Sequence, residues 1–321
     1  MTVNYRSWAR SFMAPRERFL PGLGARLYRR PHLFSAVLVA LRRAPPGRVR
    51  AAVFRNVSKP LVSRTNARLE VPVAGGSTMV VETADLIGRV LAISGIWEPQ
   101  VTAAFRAVLS GGDVCIDVGA NIGYFSLLAS KLVGSEGHVY ALEPSPVVYA
   151  ELCSNLELNR AANVTALCVA AGDREATAVL HEGHGRNRGS ASLRATDPDP
   201  NDETRLSSVR VRPLDPLVPA AEVRRVRLVK IDVEGYELEV LRGLEGLFER
   251  GGRPAIIVEL TPEWGGGEAA AYLASFCARH ELKPHRLARQ RLLAGTGNVR
   301  HAPSEIGSIS TEQQELLLVP Q

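Results

Sequence analysis

The stretch VCIDVGANIG, residues 114–123, decides the fold. The apolar run Val114-Cys115-Ile116 lies in a predicted strand, Asp113–Val118, and a helix is predicted over Tyr124–Val133. Between them lie Gly119 and Gly123, which lack a Cβ, so the backbone can turn tightly there and approach a ligand closely. A buried strand, a glycine turn and a helix are typical of parallel α/β sheets, in which ligands bind at the carboxyl ends of the strands.

Strand and helix patterns alternate around this stretch. Two strands are predicted about Gly75-Gly76, and further strands over 138–142, 164–169, 227–233 and 255–260, with helices from Ser145-Pro146, through Val240–Phe248 and over 268–281. Residues 176–215 break the alternation and predict an inserted hairpin. Near-continuous apolar strands separated by helices predict an α/β fold, with a doubly wound parallel sheet and helices on both faces.

Charge divides the chain near residue 70. Residues 1–70 hold 15 Lys and Arg against two acids, which leaves 24 basic and 31 acidic residues for 71–321. We therefore predict a basic, mostly helical N-terminal extension over 1–70 and a main domain over 71–321. A basic extension favours contact with anionic lipid, nucleic acid or an acidic partner. An arginine-rich genome composition explains the excess equally well, since only four residues of the chain are lysines.

The cysteines and the apolar runs bear on the cellular compartment. Four cysteines form no CxxC pair and have no metal-ligand spacing, which predicts free thiols, no metal site and a reducing, cytoplasmic compartment. The apolar run Leu33–Leu41 is well short of the ~18 residues that a spanning helix needs. It predicts a short helix on the main domain or, alternatively, a helix resting on a membrane surface.

Three ligands compete for the loop at 117–123. The phosphate loop of ATPases needs a lysine after its last glycine, and none follows Gly123. A dinucleotide loop needs GxGxxG, and Asp117 would repel a pyrophosphate. S-adenosylmethionine (SAM) fits better, because its ammonium suits a carboxylate and its carboxylate suits the free N–H groups at a helix start. A plain strand-to-helix turn is the simplest alternative.

Two further acids follow the next strands. Glu143 ends the second strand, 24 residues after Gly119, where it can accept two ribose hydroxyls of either SAM or NAD. Asp173, in AAGD, follows the third strand and can accept from an adenine amino group. An ordinary turn residue explains Asp173 as well.

The run VKIDVEG, residues 229–235, carries charges at the end of an otherwise apolar strand. Lys230, Asp232 and Glu234 alternate, which would aim all three toward one face. Charges in a buried strand are costly unless they are paired or used. At the carboxyl end of the strand they predict a catalytic edge, with a structural ion pair as the alternative.

Together these segments resemble the FkbM family of SAM-dependent methyltransferases. The resemblance covers about 80–265 and is carried, in order, by GIWEP, VCIDVGANIGYFSLLAS, YALEPSP, NLELN and VKIDVEGYELEVLRGL. It implies a Rossmann-like class I fold whose final antiparallel strand makes the sheet mostly parallel. It also implies methyl transfer to a hydroxyl of a sugar, polysaccharide, polyketide or similar acceptor. By motif position, the SAM contacts implied are Glu98, Asp117, Gly119, Asn121, Gly123 and Glu143.

An alcohol must lose its proton during methyl transfer, so we expect a base in the site. Asp232 is the first choice and Glu234 the second, with Lys230 pairing with one of them or holding the substrate oxygen. His181 and His184, on the inserted loop, are alternative bases.

Other functions remain open at this point. Asp232, Glu234 and Glu259 could gather around Mg²⁺, although no ligand spacing requires a metal. Residues 1–70 could serve a nucleic-acid methyltransferase, but no RNA-binding module is recognisable. A SAM-binding protein without catalysis would leave the acids of KIDVEG idle. We favour a small-molecule or glycan acceptor, with weak tethering of the extension to anionic lipid or to the assembly that makes the acceptor.

Overall fold

The computed structural model describes residues 30–42, 57, 62, 66–182, 191–193, 205–260, 266–287, 304–306, 309 and 314–321. These residues fall into two compact units, the first within 30–99 and the second from residue 100 onward. Most of the basic extension, including residues 1–29, lies outside the described residues. The predicted boundary between residues 70 and 71 stays a prediction.

The secondary structure of the described residues comprises helices and strands in alternation. The α-helices are α1 (Pro31–Arg42), α2 (Leu86–Ser94), α3 (Pro99–Val108), α4 (Tyr124–Val133), α5 (Pro146–Leu158), α6 (Glu237–Arg242), α7 (Glu245–Glu249) and α8 (Gly266–Arg279). The strands are β1 (Arg68–Pro72), β2 (Thr78–Glu82), β3 (Val114–Val118), β4 (His138–Leu142), β5 (Val164–Leu167), β6 (Ala170–Ala171), β7 (Ala176–Glu182), β8 (Arg205–Arg212), β9 (Val226–Ile231), β10 (Ala255–Leu260), β11 (Leu282–Arg286), β12 (Ser304–Glu305) and β13 (Gln314–Pro320).

The first unit is built on a two-stranded hairpin. β1 and β2 pair antiparallel about Gly75 and Gly76, as predicted. α1 packs on β1 and α2 and buries Phe34 and Leu38, while Leu33 stays exposed. Two large apolar side chains of α1 are thus buried inside this unit. Within the described residues, no helix has both the length and the apolar character to cross a membrane.

The second unit contains an eight-stranded sheet in the order β12-β11-β13-β10-β9-β3-β4-β5. Strands β10, β9, β3, β4 and β5 run parallel, and β13 is antiparallel to β10. The chain continues from β3 to β4 and β5 on one side, and from β9 to β10 on the other. Because such crossovers are right-handed, the two directions place helices on opposite faces. The predicted α/β class with a mostly parallel sheet is confirmed.

The topological switch point of this sheet lies between β3 and β9, which are neighbours although 107 residues separate their ends, Val118 and Val226. Both strands are almost wholly buried. Ligands bind outside the carboxyl ends of the strands at such a point. The carboxyl-terminal ends of the two motifs, VCIDVGANIG and VKIDVEG, therefore lie side by side at the switch point.

Two predicted elements are divided in the structure. The strand predicted over 164–169 ends at Leu167, and β6 joins β8 in a separate three-stranded sheet. The helix predicted through Val240–Phe248 breaks at Gly243, whose carbonyl accepts from Leu214 N at 3.3 Å. A Cβ at residue 243 would stand 1.9 Å from the Gly172 carbonyl oxygen, so the backbones meet closely there.

The inserted hairpin is confirmed. β7 and β8 pair antiparallel along their whole length, from Ala176 opposite Val211 to Glu182 opposite Arg205. Residues 183–190 and 194–204, including His184, lie outside the described residues.

Asn163 fixes the end of α4, the helix that follows the glycine loop. Its Nδ2 donates to the carbonyls of Ser130 and Gly134 at 3.1 and 2.8 Å, and its Oδ1 accepts from Ser130 Oγ at 2.6 Å. We expect Asn163→Ala to lower the free energy of unfolding by about 1–3 kcal/mol, because the helix-end carbonyls lose their donor. Urea denaturation measures the change. Ser154→Ala, at an exposed serine of α5 that bonds only locally, is the control and should change stability by less than about 0.5 kcal/mol. Equal effects would contradict this capping role.

Candidate active site

A buried lysine lies at the switch point. Lys230 on β9 stands directly opposite Asp117 on β3, and its side chain is only 4% exposed. Its Nζ lies 3.1 Å from Asp232 Oδ2 and 3.7 Å from Asp117 Oδ1. The Phe125 ring covers it, with its centroid 5.1 Å from Nζ. The charge predicted to be costly in this strand is thus shared between two carboxylates.

Asp117 is entirely buried, and among the described residues its Oδ1 accepts no hydrogen bond. Ser126 Oγ donates to Asp117 Oδ2 at 2.6 Å, and Lys230 faces the other oxygen. Burial raises the pKa of the Asp117 carboxyl, while Lys230 and Ser126 act in the opposite direction. The interpretation of Asp117 as a ligand for the SAM ammonium stays a prediction.

Asp232 is the accessible member of the group. It follows the last residue of β9, its N–H donates to Val118 O at 3.1 Å, and its side chain is 30% exposed. Glu234 does not continue the strand, because it adopts a left-handed φ of 51° in the following turn. The predicted alternation therefore extends along the chain from Lys230 only as far as Asp232.

The backbone at Gly119, the residue after β3, lies close to the backbone of Asp232. Its φ is 77°, and a Cβ at this position would stand 1.9 Å from the Asp232 carbonyl oxygen. Two constraints, a left-handed backbone and a close approach, thus require glycine here. A side chain at residue 119 would therefore displace the Asp232 carbonyl.

The N–H groups of the loop are satisfied within the protein. Five consecutive N–H groups have acceptors: Gly119 and Ala120 donate to Leu142 O, Asn121 to Glu143 Oε2, Ile122 to Asn121 Oδ1, and Gly123 to Ala120 O. Asn121 adopts a φ of 51° and Gly123 one of 94°, where Gly123 forms the N-cap of α4. The first three of these N–H groups therefore point back toward β4, and the helix begins at Tyr124. The expectation of free N–H groups at the start of this helix stays a prediction.

Glu143 directly follows β4 and is 5% exposed. Its Oε2 accepts from Asn121 N at 3.0 Å and its Oε1 from Ser145 N at 2.9 Å. Burial raises the pKa of Glu143 to about 7, against the lowering effect of these two donors. A rigid, buried carboxylate with unused lone pairs is well suited to accept hydroxyl groups.

The other predicted site residues lie in diverse surroundings. Asp173 is half-buried after β6 and accepts from Arg174 Nη1 at 3.0 Å. Glu98, in the first unit, is half-buried with a φ of 39°. His181 lies on β7, where its backbone pairs with Ser192. Among the described residues, the metal-ligating atoms of Asp232, Glu234 and Glu259 do not gather as a group.

Sequence reasoning missed two residues near the site. Ser126 is a fully buried polar residue in the apolar start of α4. A serine among apolar residues indicates a buried hydrogen-bond acceptor, which is Asp117. Cys168 follows β5, where the sequence predicted continued strand, and burial followed by the charge of Glu143 raises the pKa of its thiol. Its proximity to Glu143 depends on where β5 ends, which no local pattern revealed.

Comparison with known proteins identifies the family to which this chain belongs. Residues 117–283, just over half of the chain, match the model of the methyltransferase FkbM domain. The chain belongs to the FkbM methyltransferase family. The matched region begins at Asp117 and contains the glycine loop, Glu143 and the VKIDVEG run.

Individual relatives agree with this membership. Hexuronic acid methyltransferase AglP from Haloferax volcanii is 28% identical over 185 residues, which cover 52% of this chain and 69% of that protein. 31-O-demethyl-FK506 methyltransferase FkbM from Streptomyces tacrolimicus is 34% identical, over 43% of this chain and 61% of that protein. Among solved structures, a SAM-dependent O-methyltransferase from Thermotoga maritima is 13% identical, with 78% of each chain covered and a TM-score of 0.39.

The close approach at Gly119 predicts an unusual cost of substitution. Gly119→Ala and Gly112→Ala both place alanine at a positive φ, 77° and 87°, which costs about 1–2 kcal/mol, but a Cβ at residue 112 meets open space. We expect Gly119→Ala to lower the free energy of unfolding by at least about 2 kcal/mol more than Gly112→Ala, because the Asp232 carbonyl must move. Urea denaturation of both variants measures the difference. Equal losses would show that the contact is not constraining.

The raised pKa of Glu143 predicts pH-dependent SAM binding in this family member. The carboxylate accepts hydroxyl groups best when ionised, so affinity should fall about tenfold per pH unit below about pH 7 and level off above it. Calorimetric titration of SAM between pH 5.5 and 8.5 measures the profile. Glu143→Gln should bind weakly without this step, whereas Glu157→Gln, at an exposed acid of α5, should behave as wild type. A wild-type profile flat through pH 7 would exclude Glu143 as the titrating contact.

Proposed function

We propose that this chain is a SAM-dependent O-methyltransferase acting on a hydroxyl of a sugar, polysaccharide, polyketide or similar acceptor. The observation that carries the proposal is the pair Lys230 and Asp232 at the switch point of an FkbM-family sheet. Lys230 is buried, whereas Asp232 reaches solvent and can touch an acceptor. A carboxylate in this position is suited to accept a proton.

The residues at the carboxyl ends of β3 and β4 fit SAM. Glu143 would hold the ribose hydroxyls, since both of its oxygens are fixed by backbone donors and retain lone pairs. The loop containing Gly119, Asn121 and Gly123 would lie against the cofactor, and Asp173 would face the adenine amino group. Glu98 is a further proposed contact. SAM, when bound, supplies a methyl group carried on a sulfonium.

Asp232 acts as the general base in this proposal. Its Oδ2 is engaged by Lys230 at 3.1 Å, so its Oδ1 is the oxygen that accepts the hydroxyl proton. Because the N–H of Asp232 donates to Val118 O and its Oδ2 accepts from Lys230, the carboxylate is preorganised. Such a positioned base contributes about 10²–10⁴-fold to the rate. Glu234, in the adjacent turn, is the second candidate.

The acceptor and the partners are proposed from weaker support. One relative is named for hexuronic acid and another for 31-O-demethyl-FK506, which supports a hydroxyl acceptor of glycan or natural-product type. We also propose that the extension over 1–70 contacts anionic lipid or the assembly that makes the acceptor. Its excess of basic residues supports this, whereas the burial of Phe34 and Leu38 argues against apolar insertion by α1.

The test is methyl transfer from isotope-labelled SAM to a panel of uronic acids, glycosides and polyketide alcohols, with products identified by mass spectrometry. We expect a methyl ether, and a loss of about 10²–10⁴-fold in kcat for Asp232→Asn with SAM affinity retained. Asp113→Asn, at the opposite end of β3, is the control and should retain activity. Methyl esters or N-methyl products would contradict O-methylation of a hydroxyl. SAM binding without any transfer would favour a non-catalytic protein.

A further inference from the structure

The inserted hairpin is bonded to the turn that follows Asp232. Between β7 and β8, residues 191–193 run beside the end of β7, where Ser192 pairs with His181 through two backbone hydrogen bonds of 2.8 and 3.0 Å. Ser192 is buried, and its Oγ donates to the carbonyl of Glu234 at 2.7 Å. A side chain of the hairpin therefore holds the backbone two residues after Asp232.

The peptide group between Glu234 and Gly235 is held at both ends by side chains. Its carbonyl accepts from Ser192 Oγ, and its N–H donates to Glu237 Oε1 at 2.9 Å. Glu237 is also buried and opens α6. The orientation of this one peptide group is thus fixed from two different elements, the hairpin and the helix.

The same peptide group joins two residues in the left-handed region. Glu234 has a φ of 51° and Gly235 one of 103°. A glutamate rarely adopts this backbone, and it persists only where the surrounding contacts determine it. Such residues cluster at functional sites. If this peptide group turned, the chain would change direction on both sides of it, and Asp232 lies only two residues before Glu234.

Apolar packing attaches the hairpin to this region independently of the Ser192 hydroxyl. Ala191 and Leu193, the neighbours of Ser192, pack in a cluster with Leu180, and Tyr236 packs against the same cluster. Removal of the hydroxyl alone should therefore leave the hairpin in place. The hydrogen bond to Glu234 can be tested separately from the fold.

We propose that Ser192 is a positioning residue that acts through the Glu234 carbonyl to keep the turn at 232–235, and with it Asp232, in the geometry that accepts the hydroxyl proton. This inference rests on the proposed methyltransferase function. Ser192 touches neither SAM nor the acceptor in this scheme. The cofactor lies at the ends of β3 and β4 in the proposed function, so SAM affinity does not depend on Ser192.

Hydrogen–deuterium exchange of the full chain tests the positioning without any acceptor. We expect the backbone N–H groups of residues 232–237 to exchange at least about tenfold faster in Ser192→Ala than in the wild type, because the peptide group loses one of its two anchors. Ser208→Ala, at an exposed serine of β8, is the control and should exchange within about twofold of the wild type. Equal exchange of this segment in the two variants would overturn the inference.

Methyl transfer from isotope-labelled SAM to uronic acids, glycosides and polyketide alcohols tests the effect on the reaction. We expect kcat of Ser192→Ala to fall about 5–50-fold, because a displaced base loses its alignment, with the KM for SAM changed by less than about twofold. Ser192→Thr keeps the hydroxyl and should restore kcat to within about threefold of the wild type. A fall in SAM affinity as large as the fall in kcat would overturn the inference, as would a folded Ser192→Thr that restores nothing.

The two measurements separate this inference from the function on which it rests. If the wild type is active and Ser192→Ala is equally active, the inference fails and the proposed function stands. If the wild type transfers no methyl group to any of these acceptors, both fail together.

Discussion

The second unit is organised around one buried ammonium ion. Lys230 lies where β3 and β9 meet, and a cation there is tolerated only because Asp117 and Asp232 flank it. Removing one partner of a buried ion pair costs about 3–5 kcal/mol, since the remaining charge is left uncompensated. The adjacency of β3 and β9 places Asp117 opposite Lys230, and Ser126 donates to the same carboxylate.

Much of the fold was predictable because its signals are local. The boundaries of α4, β4 and β10 and the start of α5 agree with the sequence pattern. Apolar periodicity and the Ser145-Pro146 cap of α5 act within a few residues. The division of the strand after Leu167 and the break at Gly243 were not predictable. Both depend on distant backbone groups, the latter on the Leu214 N–H and the Gly172 carbonyl.

The same distinction applies to the site. The alternation in VKIDVEG indicated that Lys230 and Asp232 are neighbours, and Asp232 proves to be hydrogen-bonded to Lys230. The sequence did not reveal that Asp117 faces Lys230, because adjacency of β3 and β9 is a property of the sheet order. Nor did it reveal that the loop N–H groups turn inward to Leu142 and Glu143.

A crystal structure with S-adenosylhomocysteine, the demethylated product of SAM, tests the central claim most directly. We predict that its ribose hydroxyls bond Glu143, that its sulfur faces the exposed side of Asp232, and that Lys230 stays between Asp117 and Asp232. A ribose bound away from Glu143, or a sulfur that lies away from Asp232, would contradict the account.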